Sequence, residues 1–155
     1  MTLSEYCATL SQEKLLETAI ACCEVALTIW DEYALANKLS YRDTVVGMHH
    51  EVRPELLHDS LLYCTGKSSK DFATLLDEFS DPKVAIQDSD WELPSNVEKV
   101  FHAFYNLLDG LKKPITVFDE QTHYVAINQA IDAIYSSGKM TVDQIKSIIY
   151  DQDKQ

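Results

Sequence analysis

From Leu15 to Tyr33 the chain carries an unbroken apolar stripe with neither glycine nor proline. Leu16, Ile20, Cys23, Leu27 and Trp30 recur at helical spacing, and Leu15, Ala19, Cys22, Ala26 and Tyr33 widen the stripe. A stripe that wide belongs to a helix covered on several sides. Ser11 is placed to cap it, and the expected helix runs to about Asn37 as the central element of an all-α fold. Only four glycines and four prolines punctuate the 155 residues, which suits helices joined by short loops.

Downstream, Ser40 caps an expected second helical segment carrying Val45, Val46 and Met48. Pro54 fits the first turn of a third segment through Leu57, Leu61 and Leu62, or a kink in the second. Gly66 ends that helix, and Ser68 or Ser69 starts the next, through Phe72, Leu75, Leu76 and Phe79. From Ser80 to Pro94 the periodicity stops, so about 80–94 is expected as the one long loop, with Val84 to Ile86 tucked inward.

Ser95 and Glu98 match a capping box opening a helix through Val97, Val100, Phe101, Phe104, Leu108 and Leu111, weakened at Gly110 and stopped by Pro114. The run from Ile115 to Phe118 is expected as a connector. Asp119 caps a helix through Tyr124, Ile127, Ile131, Ile134 and Tyr135 that ends near Gly138. Thr141 and Gln144 form a second capping box before Val142, Ile145, Ile148 and Ile149, and about 151–155 is a polar tail. The expectation is one all-α domain over 1–155, a single-domain helical bundle of six or seven helices without a sheet.

Composition narrows the function. Twenty-five acids against 13 bases give a formal charge of −12, with Arg42 and Arg53 the only arginines. A field of that sign repels phosphate backbones and anionic membranes and attracts basic proteins, so neither nucleic acid nor membrane is an expected partner. The N-terminal MTLSEYCATL lacks a basic segment followed by a long apolar run, which points to the cytoplasm. Cys7, Cys22, Cys23 and Cys64 show no zinc-type spacing and read as reduced, core-filling thiols. No glycine-rich phosphate loop, nucleophile elbow or dinucleotide fingerprint is present, so neither a catalytic set nor a cofactor is expected.

Two constellations could carry chemistry. Glu55 with His58 and Glu120 with His123 are Glu-x-x-His pairs on different expected helices, the spacing by which carboxylate bundles hold two metal ions. Such a site needs two more glutamates, and Glu24 and Glu98 stand in the right chain order. Glu98, however, shares a polar face with His102, Asn106 and Asp109, away from the apolar stripe. Around the first pair, the segment His49 to Asp59, HHEVRPELLHD, also invites a mononuclear metal or phosphohydrolase reading, but its further ligands cannot be named, and a polar surface is the simpler account.

The other constellation is electrostatic. Asp71, Asp77, Glu78, Asp81, Asp88, Asp90, Glu92 and Glu98 face a single base, Lys83, before Lys99, and Trp91 stands among them. Carboxylates around a tryptophan suit docking of a basic protein, the indole as anchor and the charge as steering. Trp91 folded back on the bundle as a lid is the competing account. Asp77, Glu78, Asp81, Asp88, Asp90, Trp91 and Glu92 are therefore the expected partner-binding residues. Glu17, Glu24 and Asp31, seven apart on the first helix, form a second acidic stripe that reads as a solvated face.

The stretch from Leu15 to Leu62, with Ala21-Cys22-Cys23-Glu24 inside the first long helix and a tyrosine-bearing polar link after it, resembles small all-α immunity proteins of bacterial polymorphic and contact-dependent toxin systems. The resemblance implies an acidic, non-catalytic protein that neutralises a cognate basic toxin, often a nuclease, by occluding its active site. The alternatives are a helical metalloprotein built on the Glu-x-x-His pairs and a scaffold or regulatory protein for some other basic partner.

Overall fold

The structure, a computed structural model, describes residues 2–112 and 122–151. Seven helices and one two-stranded hairpin are formed among them: α1 (Leu3–Ala8), α2 (Gln12–Ala36), β1 (Ser40–Arg42), β2 (His49–Glu51), α3 (Leu56–Cys64), α4 (Phe72–Gln87), α5 (Ser95–Asp109), α6 (Thr122–Ser137) and α7 (Val142–Asp151). The chain is a mostly helical single domain, as its periodicity predicts. The connector 115–118, the cap Asp119, Glu120 and the tail 152–155 lie outside the described residues.

The wide stripe of α2 does make it central. Leu15, Ala19, Cys22, Cys23, Ala26, Leu27 and Trp30 are buried, and the helix packs on α3, α5, α6 and α7. Ser11 caps it, its hydroxyl accepting from the Lys14 amide at 3.2 Å. The most extensive helix pair is α5 with α6. Ala126, Ala130 and Ala133 of α6 are fully buried, as are Val100, Phe101, Ala103, Phe104, Leu107 and Leu108 of α5. Small residues against large ones let two helices approach closely and fill the seam without voids. The Thr141–Gln144 capping box forms at the start of α7, with both reciprocal bonds in place. Tyr6 of α1 meets Tyr150 of α7 edge-on at 4.7 Å.

The cysteines fill the core. Cys7, Cys22 and Cys23 are buried and all four are unpaired. Burial pushes the Cys7 thiol up to about 11 and those of Cys22 and Cys64 to about 12, with Cys23 well above its ordinary value. A thiol held protonated is a poor nucleophile.

Three expectations need correcting. The segment after Ser40 is a hairpin, with Tyr41 opposite His50 in antiparallel register. Its residues alternate, Leu39, Tyr41 and Val52 buried and Arg42, His49 and Glu51 exposed, which is the period of a half-buried strand. Asp43 closes the loop by accepting from Val46 N at 2.8 Å, and Gly47 takes the left-handed φ of +72° that the return requires. Val45, Val46 and Met48 mimic helical spacing only because they share the loop tip, where they are exposed.

The second correction concerns 80–94. Helix α4 runs on through Pro82 to Gln87, so the loop shrinks to about 88–94. Pro82 removes one donor from the ladder, but it is buried with Phe79, Ala85 and Ile86, and that packing holds the helix together across it. Ser89 then takes φ +63°, its amide bonding to Ile86 O and that of Asp90 to Ala85 O. This is a Schellman ending with serine where glycine is usual. Gly66 fills the equivalent place after α3, with Lys67 N on Leu62 O. Ser89→Gly is therefore expected to stabilise the domain by about 0.5–1 kcal/mol, the relief of a side chain in the left-handed region less the added freedom of the unfolded chain. Urea denaturation checks this, and a loss of stability would mean the Ser89 side chain makes a compensating contact.

The third correction is local. Pro94, not Ser95, occupies the cap position of α5 and makes no side-chain capping bond, while the Asn96 side chain accepts from the Val97 amide at 3.0 Å. Pro54 likewise precedes α3, its carbonyl accepting the Trp30 indole N–H at 3.0 Å.

Candidate functional site

The hairpin packs its buried face on the helices through a stack of rings. Tyr41 lies between His50, at 4.9 Å and 17°, and Trp91, at 5.6 Å and 26°. Trp91 in turn meets Phe101 edge-on at 5.9 Å. His50 Nε2 is 3.1 Å from Asp43 Oδ2. Asp43 is held below its ordinary carboxylate range by the Val46 amide first and by His50 next. Burial pushes the Tyr41 phenol up, and the fields of Asp81, Asp43 and Asp90 push it further.

Between β2 and α4 lies a cleft of about 350 Å³. Its strand side is His49 through Arg53, with Tyr41 beside them, and its helix side is Asp77, Glu78, Asp81 and Pro82. On a helix, positions 78, 81 and 82 share one face, so α4 delivers its acids to a single wall.

Arg53 locks the inner end. Its Nε donates to Glu78 at 2.8 Å and its Nη2 to Asp59 at 2.9 Å, and Lys70 also donates to Asp59, at 2.7 Å. Glu78, more than any other neighbour, holds the guanidinium in its charged form. Burial alone would raise Asp59, but Lys70 and Arg53 outweigh it and hold the carboxyl below its ordinary range. This network ties α3 to α4 and satisfies Glu78. Asp77 and Asp81 stay exposed, and among the described residues no cation pairs with either.

Of the residues expected to bind a partner, Asp77, Glu78 and Asp81 line the cleft. Asp88 ends α4 and is exposed, and Asp90 reaches the Thr44 amide of the hairpin loop at 3.4 Å. Glu92 is exposed. Trp91 is only 5% exposed, which is the lid arrangement; the carboxylates around it reach solvent and the indole does not. Tyr41, His49, His50 and Glu51 were not anticipated at this site. The alternation from Leu39 to Arg42 and from His49 to Val52 is the signal that finds them.

The described members of the Glu-x-x-His pairs make separate contacts. Glu55 is exposed at the cap of α3 and makes no side-chain capping bond. His58 faces Asp31 of α2, 2.8 Å away, so the acidic stripe of α2 is partly spent on this pair. His123 stands 3.2 Å from the Leu107 carbonyl, and burial lowers its pKa more than that bond raises it. Glu24 is exposed, and Glu98 lies 3.8 Å from His102. Among the described residues no three His, Cys, Asp or Glu side chains are grouped to hold a metal ion, and Glu120 lies outside them.

No described helix is long and apolar enough to cross a membrane. Compared with known proteins, the chain gives no significant match to a family model, a curated protein or a solved structure.

Proposed function

We propose that this chain is a non-catalytic acidic binding protein, an immunity protein that neutralises a cognate basic toxin by covering its active site. The observation that carries the reading is the cleft, where Asp77 and Asp81 stand unpaired against the strand residues of the hairpin. Unpaired carboxylates on a rigid helix attract lysine and arginine and raise association rates, most strongly at low salt. On the same hairpin the loop tip exposes Val45 by 90%, Val46 by 67% and Met48 by 58%, apolar surface that a partner would remove from water. Charge supplies steering and the tip supplies burial, the division of labour common in specific interfaces.

The test is co-expression with the product of the reading frame immediately upstream, scoring growth and co-elution on size exclusion. Rescue with a stable complex is expected, with rescue lost when Asp77 and Asp81 are both reversed to lysine. Absence of both toxicity and complex sinks the immunity reading. Salt-sensitive binding to a basic protein that is not toxic would favour a scaffold or regulatory role. Stoichiometric metal in chelator-free protein would favour the metalloprotein.

A further inference from the structure

The cleft has an unusual strand wall. A strand viewed on its face contributes alternate residues, because successive side chains point to opposite sides. Here all three residues of β2, His49 to Glu51, line the cleft, together with Val52 and Arg53 beyond the strand. Consecutive lining requires that the strand present its edge.

The hydrogen-bond pattern says which edge. Val52 N bonds to Leu39 O at 2.8 Å and Asp43 N to Met48 O at 2.9 Å. In an antiparallel pair, bonded and non-bonded positions alternate. With Tyr41 opposite His50, the bonded pairs are Leu39 with Val52, Tyr41 with His50 and Asp43 with Met48. The backbone groups of His49 and Glu51 therefore point away from β1. Among the described residues no backbone or side-chain group bonds to the amides of these two residues. They form a short open ladder, and α4 stands across from it with Asp77 and Asp81 free.

We propose that β2 accepts an extended, lysine- or arginine-bearing segment of the partner as a third strand, laid in the cleft between β2 and α4. The inference rests on the binding reading above and names how the partner is held. Main-chain bonds to His49 and Glu51 supply affinity that does not depend on sequence, and a basic side chain reaching Asp77 and Asp81 supplies selection. Arg53 closes the inner end, because its guanidinium already occupies Glu78 and repels a second cation there. The volume of about 350 Å³ is within the range of small ligand sites, so a few residues of strand fit and a helix does not.

The test uses the full chain, isotopically labelled, and two short synthetic peptides of alternating lysine and valine. One has ordinary amides, and the other is N-methylated at alternate residues so that its charge is unchanged but one bonding edge is blocked. With the ordinary peptide, amide shifts are expected at His49, Glu51, Asp77 and Asp81, with slowed exchange at His49 and Glu51. N-methylation is expected to weaken binding about tenfold or more, the effect of losing one or two backbone hydrogen bonds. Asp77→Asn with Asp81→Asn is expected to weaken the ordinary peptide severalfold and leave the helical circular dichroism intact. Equal affinity of the two peptides would overturn strand addition and leave only charge attraction. Shifts that avoid β2 would overturn it as well. Neither result touches the immunity reading, which the co-expression experiment decides separately.

Discussion

Phe101→Ala is expected to destabilise the domain by about 3–5 kcal/mol, the usual range for removing a fully buried aromatic ring. Phe101 has no exposed surface and touches rings from three directions: Phe79 of α4 at 5.2 Å, Trp30 of α2 at 5.9 Å and Trp91 at 5.9 Å. Removing it leaves a cavity among large, stiff side chains that cannot collapse to fill it. Against a total stability of about 5–15 kcal/mol, that is a fifth or more of what holds the fold. For a chain of this size the melting temperature should fall by roughly 6–20 °C. Urea and thermal denaturation measure both, and a loss under about 1 kcal/mol would show that the rings do not form one cooperative core.

Trp91→Ala should cost about 3 kcal/mol, distributed differently. Trp91 lies between Tyr41 and Phe101, so its removal strips the hairpin of its main support while α2, α5 and α6 keep theirs. Far-ultraviolet circular dichroism should barely change, whereas amide exchange at Tyr41, His50 and Val52 should rise by orders of magnitude as the hairpin opens locally. Exchange rates there equal to the wild type would mean that the hairpin is held by something other than the ring stack. Since Trp91 and Phe101 touch, the double variant should lose less than the sum of the two. A fall in partner affinity for Trp91→Ala would then report a displaced hairpin, and the exposed Asp88 is the cleaner probe of that surface.

The helices were legible where burial imposes a period on the sequence. The stripe of α2, the large residues of α5 and the Thr141–Gln144 box each state a helix in local terms, and each is present. Legibility failed where a local rule is overridden by packing. Pro82 and Ser89 both argue against a helix to Gln87, since one lacks a donor and the other is not the expected glycine; burial of Phe79, Pro82 and Ile86 decides the matter instead. The hairpin failed for another reason. Its strands are three residues each, so alternation from Leu39 to Arg42 and from His49 to Val52 is too brief to outweigh Val45, Val46 and Met48 between them.

The site was half legible on the same grounds. Charge is written in composition, so Asp77, Glu78 and Asp81 were identifiable as a group from the sequence. That they face a strand edge depends on a fold that returns residues 49–53 to α4, and no local pattern carries that information.

An open strand edge is indifferent to identity: any extended chain can join it, including a second copy of the same protein. Here the edge is guarded by carboxylates that every copy carries. Two such edges brought together would set Asp77 and Asp81 of one molecule against those of the other, on top of a mutual charge of −12 each. The arrangement discriminates self from other by sign alone. On the proposed reading, the carboxylates that would admit a basic chain are the same groups that would repel a second copy, so no separate latch against self-pairing would be needed.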